Sequence, residues 1–108
     1  MKEDLLKIIK HYGINAQQRQ LAEEVFELQE AILTRELHWH YDTEIQDIRP
    51  LDNHIAEEIA DVMVMLEQFK LHYGISSEEV TKIFWEKVDR QLELSLIHIS
   101  EPTRLDVI

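Results

Sequence analysis

Residues 21–28 read Leu21-Ala-Glu-Glu-Val-Phe-Glu-Leu28, and residues 55–62 read Ile55-Ala-Glu-Glu-Ile-Ala-Asp-Val62. Both have the form apolar-Ala-Glu-Glu-apolar-x-acid-apolar, and the second repeats the first at an offset of 34 residues. Apolar residues recur at the three- and four-residue spacing of an amphipathic helix. The stripes extend outward as Leu21, Val25, Leu28, Ile32 and as Ile55, Ile59, Val62, Leu66, Phe69. Two long helices therefore form the centre of the fold.

Outside them the pattern stays helical, because two glycines and two prolines leave few places to turn. Leu5, Leu6, Ile8 and Ile9 mark a short first helix ending at Gly13, a natural left-handed cap. Asn15, with Gln18 three residues on, is the expected N-cap of a second helix running to about His40. A polar connection over 41–52 contains Pro50, and Asp52 or Asn53 is the expected cap of the third helix, which ends before Gly74. Ser76 and Glu79 form a capping box for the fourth, with Val80, Ile83, Phe84 and Val88 behind it. No useful β-alternation appears. The fold class read from this pattern is all-α with four helices.

The end of the chain departs from the pattern. Residues 94–104, Leu-Ser-Leu-Ile-His-Ile-Ser-Glu-Pro-Thr-Arg, show no helical stripe, carry Pro102, and resemble the in-frame translation of a common sequencing adapter. The expected division is a helical domain over 1–93 and a non-native tail over 94–108, with Glu93 near the last authentic residue.

Composition narrows the function. With 108 residues the chain is one domain, large enough to fold without metals or disulfides. A formal net charge of −11 repels a phosphate backbone, which argues against a nucleic-acid polymer as partner. The absence of cysteine excludes a disulfide framework, a thiol nucleophile and Cys-based zinc. The start Met1-Lys2-Glu3-Asp4 has no signal-peptide hydrophobic segment, and no apolar run approaches the ~18 residues of a membrane span. The expectation is a cytoplasmic domain with no membrane partner.

The repeated acids carry the chemistry. Residues three apart are helical neighbours, so Glu24 and Glu27 share a face, as do Glu58 and Asp61. At ~100° per residue Glu24 lies about 60° from Leu21 and nearer still to Leu28, and Glu58 has the same relation to Ile55 and Val62. Packing the two stripes together brings four carboxylates to the border of one contact. Bare like charges there raise one another's pKa, and a multivalent cation removes the conflict. Carboxylate-only ligation selects a hard ion, Mg²⁺ or Mn²⁺ rather than zinc. Glu23 and Glu57, each about 100° further round, are outer ligands or solvated acids.

The motif Glu24-x-x-Glu27 followed by Glu58-x-x-Asp61 resembles the signature of the all-α nucleoside triphosphate pyrophosphohydrolases, the MazG-like superfamily, over residues ~15–93. The words LAEEVFELQEAI and EEIADVMVMLEQ are similar to MazG-like members in particular. The resemblance implies a MazG-like four-helix bundle, completed by assembly into a homodimer or homotetramer. It also implies that Glu24, Glu27, Glu58 and Asp61 hold Mg²⁺, with Glu23 as a base or outer ligand. Water would then attack the α-phosphorus of a nucleoside triphosphate, releasing pyrophosphate and a monophosphate. The connection between the motifs is longer than in many relatives and contains His38, Trp39, His40, Tyr41, Asp42, Glu44 and Asp47.

Other residues are candidates to hold the rest of the substrate. Lys87 follows Phe84 and Ile83 by three and four residues, placing an ammonium on an apolar stripe, and Arg90 neighbours it. In the resembled superfamily a lysine and an arginine of the last helix face the phosphates. The bland reading is a lysine extending from the edge of a core or pairing with a motif acid. Trp39 is a candidate for stacking on a base, although aromatics at helical spacing are usually core. His38 and His40, two residues apart, point to different sides of a helix and do not make a metal site.

Two other classes compete. A ferritin-like di-metal oxidase requires Glu-x-x-His on two helices, and no Glu here has a His three residues on. A helical interaction or assembly module with acidic faces is the non-enzymatic alternative; it predicts no response to divalent metal. A nucleotide sensor using the same site without turnover would look identical in sequence.

Overall fold

The computed structural model describes residues 2–41 and 47–100, with side chains for 2–38 and 47–95. Four helices follow in order, α1 (Lys2–Tyr12), α2 (Ile14–Tyr41), α3 (Arg49–Tyr73) and α4 (Ser77–Ser100), and no strand occurs among the described residues. The all-α expectation holds. None of the described helices is long and apolar enough to cross a membrane.

The helix ends show which local chemistry prevails. Gly13 adopts φ 85°, where its N–H donates to the Ile9 carbonyl at 2.8 Å and its own carbonyl accepts from Gln17 N–H at 3.0 Å. One glycine thus ends α1 and starts α2. Asn15 lies inside the first turn rather than at the cap expected for it. Gly74, at φ 68°, closes α3 by donating to Leu71 and Lys70 carbonyls. The third helix begins before the expected Asp52 or Asn53. The Ile48 carbonyl accepts from the N–H groups of Leu51 and Asp52, and Pro50 occupies the first turn, where its fixed φ suits a helix and its missing N–H costs nothing. Asp47 accepts the Arg49 N–H at 3.0 Å, and Asp52 becomes an acid of the first turn. Ser76 behaves as expected, its Oγ accepting Glu79 N–H at 3.1 Å. The fourth helix continues past Glu93 to Ser100, although residues 94–100 carry no helical stripe. No glycine or proline interrupts the chain before Pro102, so nothing in the backbone chemistry stops it sooner.

The chain divides into two units, Met1–Gly74 and Ile75–Ile108. In the first, α2 and α3 form the main contact, and α1 lies chiefly on α3 and also touches α2. Buried hydrogen bonding from Gln17 to Gln68 and an Arg35–Asp52 pair, both at 2.9 Å, show that α2 and α3 run antiparallel. Early residues of one meet late residues of the other.

One series of α2 positions that lose solvent is Gln17, Leu21, Glu24, Leu28, Ala31 and Arg35; on α3 the matching series is Leu51, Ile55, Glu58, Val62, Met65 and Phe69. Both series alternate four- and three-residue steps, the seam of paired antiparallel helices. This corrects the expected stripes. Val25 and Ile32 are 46% and 45% exposed, and Ile59 and Leu66 are 43% and 46%. Each helix carries a second apolar edge that shares Leu21 and Leu28, or Ile55 and Val62, with the seam, so periodicity alone could not choose between the two. Small Ala31, 6% exposed, lies on the edge that is used. In the second unit α4 presents Val80, Ile83, Phe84, Trp85 and Leu92 as exposed apolar side chains, with Val88 and Ser95 half-buried.

Candidate metal centre

Rotation of the seam onto Leu21–Glu24–Leu28 and Ile55–Glu58–Val62 moves two acids from the border of the helix contact into it. Glu58 is 7% exposed, and Glu24 is half-buried. Their repeat-equivalent positions give them matching surroundings. Gln20, four residues before Glu24, donates its Nε2 to Glu24 Oε1 at 2.7 Å. His54, four residues before Glu58, brings its Nε2 to 3.8 Å from Glu58 Oε1 and its Nδ1 to 3.9 Å from Glu57 Oε2. The second oxygen of each acid, Glu24 Oε2 and Glu58 Oε2, is buried without a hydrogen-bond partner.

Glu27 completes the group. One carboxylate oxygen from each of Glu24, Glu27 and Glu58 lies within 4.8 Å of the others. The charge of Glu24, then partial burial and the neighbouring Glu58 carboxyl, hold the Glu27 pKa above its ordinary value of 4.5. Glu23 adds a smaller push in the same direction. The cluster favours anything that neutralises it, whether a proton or a cation.

The donor set suits a hard divalent cation. All three ligands are carboxylates, and two of their oxygens have already lost water without gaining a protein donor, a cost that a positive ion offsets. Adjacent oxygens on one octahedral Mg²⁺ lie ~3 Å apart and opposite ones ~4.2 Å, so carboxylates within 4.8 Å of one another would draw together on such an ion. The exposure of Glu27 leaves one side open to solvent and to a further ligand.

The remaining sequence candidates are distributed unevenly. Asp61, one turn after Glu58, is exposed and stands outside the three-acid group; its side chain is one methylene shorter and projects from the edge of the seam. Glu23 and Glu57 are exposed on their helices. Lys87 and Arg90 are exposed on α4 in the second unit, where Lys87 lines an open apolar depression with Phe84, Val88 and Leu92. The side chains of Trp39, His40 and Tyr41 lie outside the described residues, as do residues 42–46 and 101–108.

Sequence reasoning missed Gln17, Gln20, His54 and Gln68. The signal for Gln20 and His54 is their position four residues before a motif glutamate in both copies, since i and i+4 are helical neighbours. Gln17 and Gln68 looked like surface residues, yet they are 6% and 1% exposed and bonded to each other. Gln68 Nε2 also reaches the Val64 carbonyl at 3.4 Å. No protein-family model, curated protein or solved structure matches the chain.

Proposed function

We propose that the chain is a Mg²⁺-dependent nucleotide pyrophosphohydrolase of the MazG-like kind, cleaving a nucleoside triphosphate to monophosphate and pyrophosphate. The observation that carries the reading is the meeting of Glu24, Glu27 and Glu58 around two buried, unpartnered carboxylate oxygens. These three acids, joined by Asp61 from the next turn of α3, would hold Mg²⁺ or Mn²⁺. When bound, the ion supplies positive charge for the phosphates and lowers the pKa of a coordinated water.

The protein's own residues do the rest. Glu24 and Glu58 are held in the helix seam, so they would present their oxygens to the ion from a fixed backbone. Glu23 stands on the exposed edge of α2, where a carboxylate can accept a proton from water. Lys87 and Arg90 are the cations proposed to meet phosphate oxygens, and Trp39 the ring proposed to stack on the base. Cytoplasmic location and assembly into a homodimer or homotetramer belong to the same proposal.

A second reading, a helical assembly module without turnover, draws on the exposed Val25, Phe26, Ile32 and Leu33 of α2. The two separate in a panel of ribo- and deoxynucleoside triphosphates incubated with the protein, with and without Mg²⁺, and read for pyrophosphate against orthophosphate. Metal-dependent pyrophosphate supports the enzyme. No turnover, together with no thermal shift on adding Mg²⁺ or Mn²⁺, supports the module.

A further inference from the structure

The repeat holds more than its acids. Gln20 and His54 are separated by the same 34 residues as Glu24 and Glu58, and each lies four residues before its glutamate. Each brings a side-chain nitrogen toward one oxygen of that glutamate, Gln20 as a hydrogen bond at 2.7 Å and His54 as a looser approach at 3.8 Å. In both copies the other oxygen of the carboxylate is left buried and unpaired. The Gln20 bond restrains rotation of the Glu24 carboxylate about its terminal bond and so sets the direction of its other oxygen; His54 stands beside Glu58 beyond hydrogen-bond distance and closes the same bond with a shift of about 1 Å. Nitrogen donors behind metal-binding carboxylates commonly have this effect, and their loss typically costs ten- to a hundred-fold in metal affinity.

We infer that Gln20 and His54 are a matched pair of positioning residues that orient Glu24 and Glu58 for a divalent cation. The inference rests on the metal-centre reading above and extends it to the residues that organise the ligands. Gln20 also sits one turn from Gln17, whose amide is bonded to Gln68, so the tether on Glu24 borders the buried polar contact between α2 and α3. His54 additionally stands beside Glu57, which ties that repeat acid to the same arrangement. Neither residue contacts substrate in this role; both act through the glutamate.

The experiment is a calorimetric titration of Mn²⁺ into the full chain at neutral pH, beside the thermal midpoint of each metal-free protein. Gln20→Met keeps length and helix propensity while removing the donor, and His54→Leu does the same for the imidazole. Each is expected to weaken Mn²⁺ binding ten- to a hundred-fold with little change in the metal-free midpoint. His54→Gln, which installs at one copy what the other already has, is expected to retain affinity that His54→Leu loses. Gln18→Met, on an exposed face of α2, is expected to bind as the unaltered chain. If the unaltered chain binds Mn²⁺ and Gln20→Met and His54→Leu bind it equally well, the positioning role is overturned while the metal centre stands. Loss of the fold along with the affinity in both variants would overturn it too, in favour of a purely structural role. If the unaltered chain takes up no Mn²⁺, the metal-centre reading itself is overturned.

Discussion

Glu24 and Glu58 occupy equivalent positions on two antiparallel helices, inside the seam that joins α2 and α3, and each keeps one buried carboxylate oxygen without a partner. A sequence selected only for a stable helix pair would place leucine or isoleucine at both. The retained charges weaken the metal-free fold, and the predictions below follow from that tension.

Glu58→Gln removes one charge while keeping side-chain size. Relief of like-charge contact is worth about 0.5 kcal/mol, which for a domain of this size corresponds to a rise of roughly 2–4 °C in the metal-free midpoint. The same variant is expected to lose most of the stabilisation that saturating Mg²⁺ or Mn²⁺ gives the unaltered chain, ~2.7 kcal/mol at a hundred-fold excess over Kd. Differential scanning calorimetry with and without metal reads both effects. A variant less stable without metal and equally responsive to it would contradict the four-carboxylate account.

The raised pKa of Glu27 gives the metal-free protein a defined pH response. Between the ordinary value of 4.5 and the higher folded value, the unfolded chain has released the proton that the folded one retains. Stability therefore falls as pH rises through that interval, and the loss is complete above the folded pKa. Urea midpoints measured from pH 4 to pH 7 for the unaltered chain and for Glu27→Gln isolate the contribution. The difference between the two curves should move in favour of Glu27→Gln as pH increases.

Gln17 and Gln68 satisfy one another in the core of the first unit. Replacing only Gln68 by leucine strands the Gln17 amide, at a cost of about 1–3 kcal/mol. Gln17→Leu combined with Gln68→Leu should cost less than the two single changes together, because no donor remains unpaired. A double-mutant cycle in urea is the measurement, and simple additivity would show that the bond contributes nothing specific.

The second apolar edge of α2 sets an expectation for assembly. Phe26 is 60% exposed and Val25 and Ile32 nearly half so, an apolar edge that a second copy of the chain would cover. Phe26→Glu is expected to shift sedimentation from dimer or tetramer toward monomer. An unaltered chain that sediments as a monomer at micromolar concentration would remove the oligomer from the account.

Much of the fold was legible because glycine and helical periodicity speak locally. Gly13 and Gly74 punctuate the helices as their backbone freedom requires, and Ser76 caps α4 as its spacing suggests. Pro50 was read as part of a connection because a proline in mid-sequence looks disruptive; in the first turn of α3 it is favourable. The seam was misread for a different reason. Glu24 and Glu58 are the residues least expected inside a helix contact, so a hydrophobic count assigns the interface to Val25 and Ile59. Which edge is used depends on contacts across the seam such as the Gln17–Gln68 bond, a property of the pair rather than of either helix. The repeated acids themselves were visible, because a pattern kept twice at one offset is informative even where each copy alone is ordinary.

The most direct test follows the oxygen. The full chain, supplied with Mg²⁺ and a hydrolysed nucleoside triphosphate in water labelled with heavy oxygen, is analysed by mass spectrometry of both products. Attack at the α-phosphorus predicts one labelled oxygen in the nucleoside monophosphate, unlabelled pyrophosphate, and no reaction when metal is chelated or Glu58 is replaced by Gln. Label in pyrophosphate, release of orthophosphate, or turnover indifferent to both metal and Glu58 would contradict the proposed function.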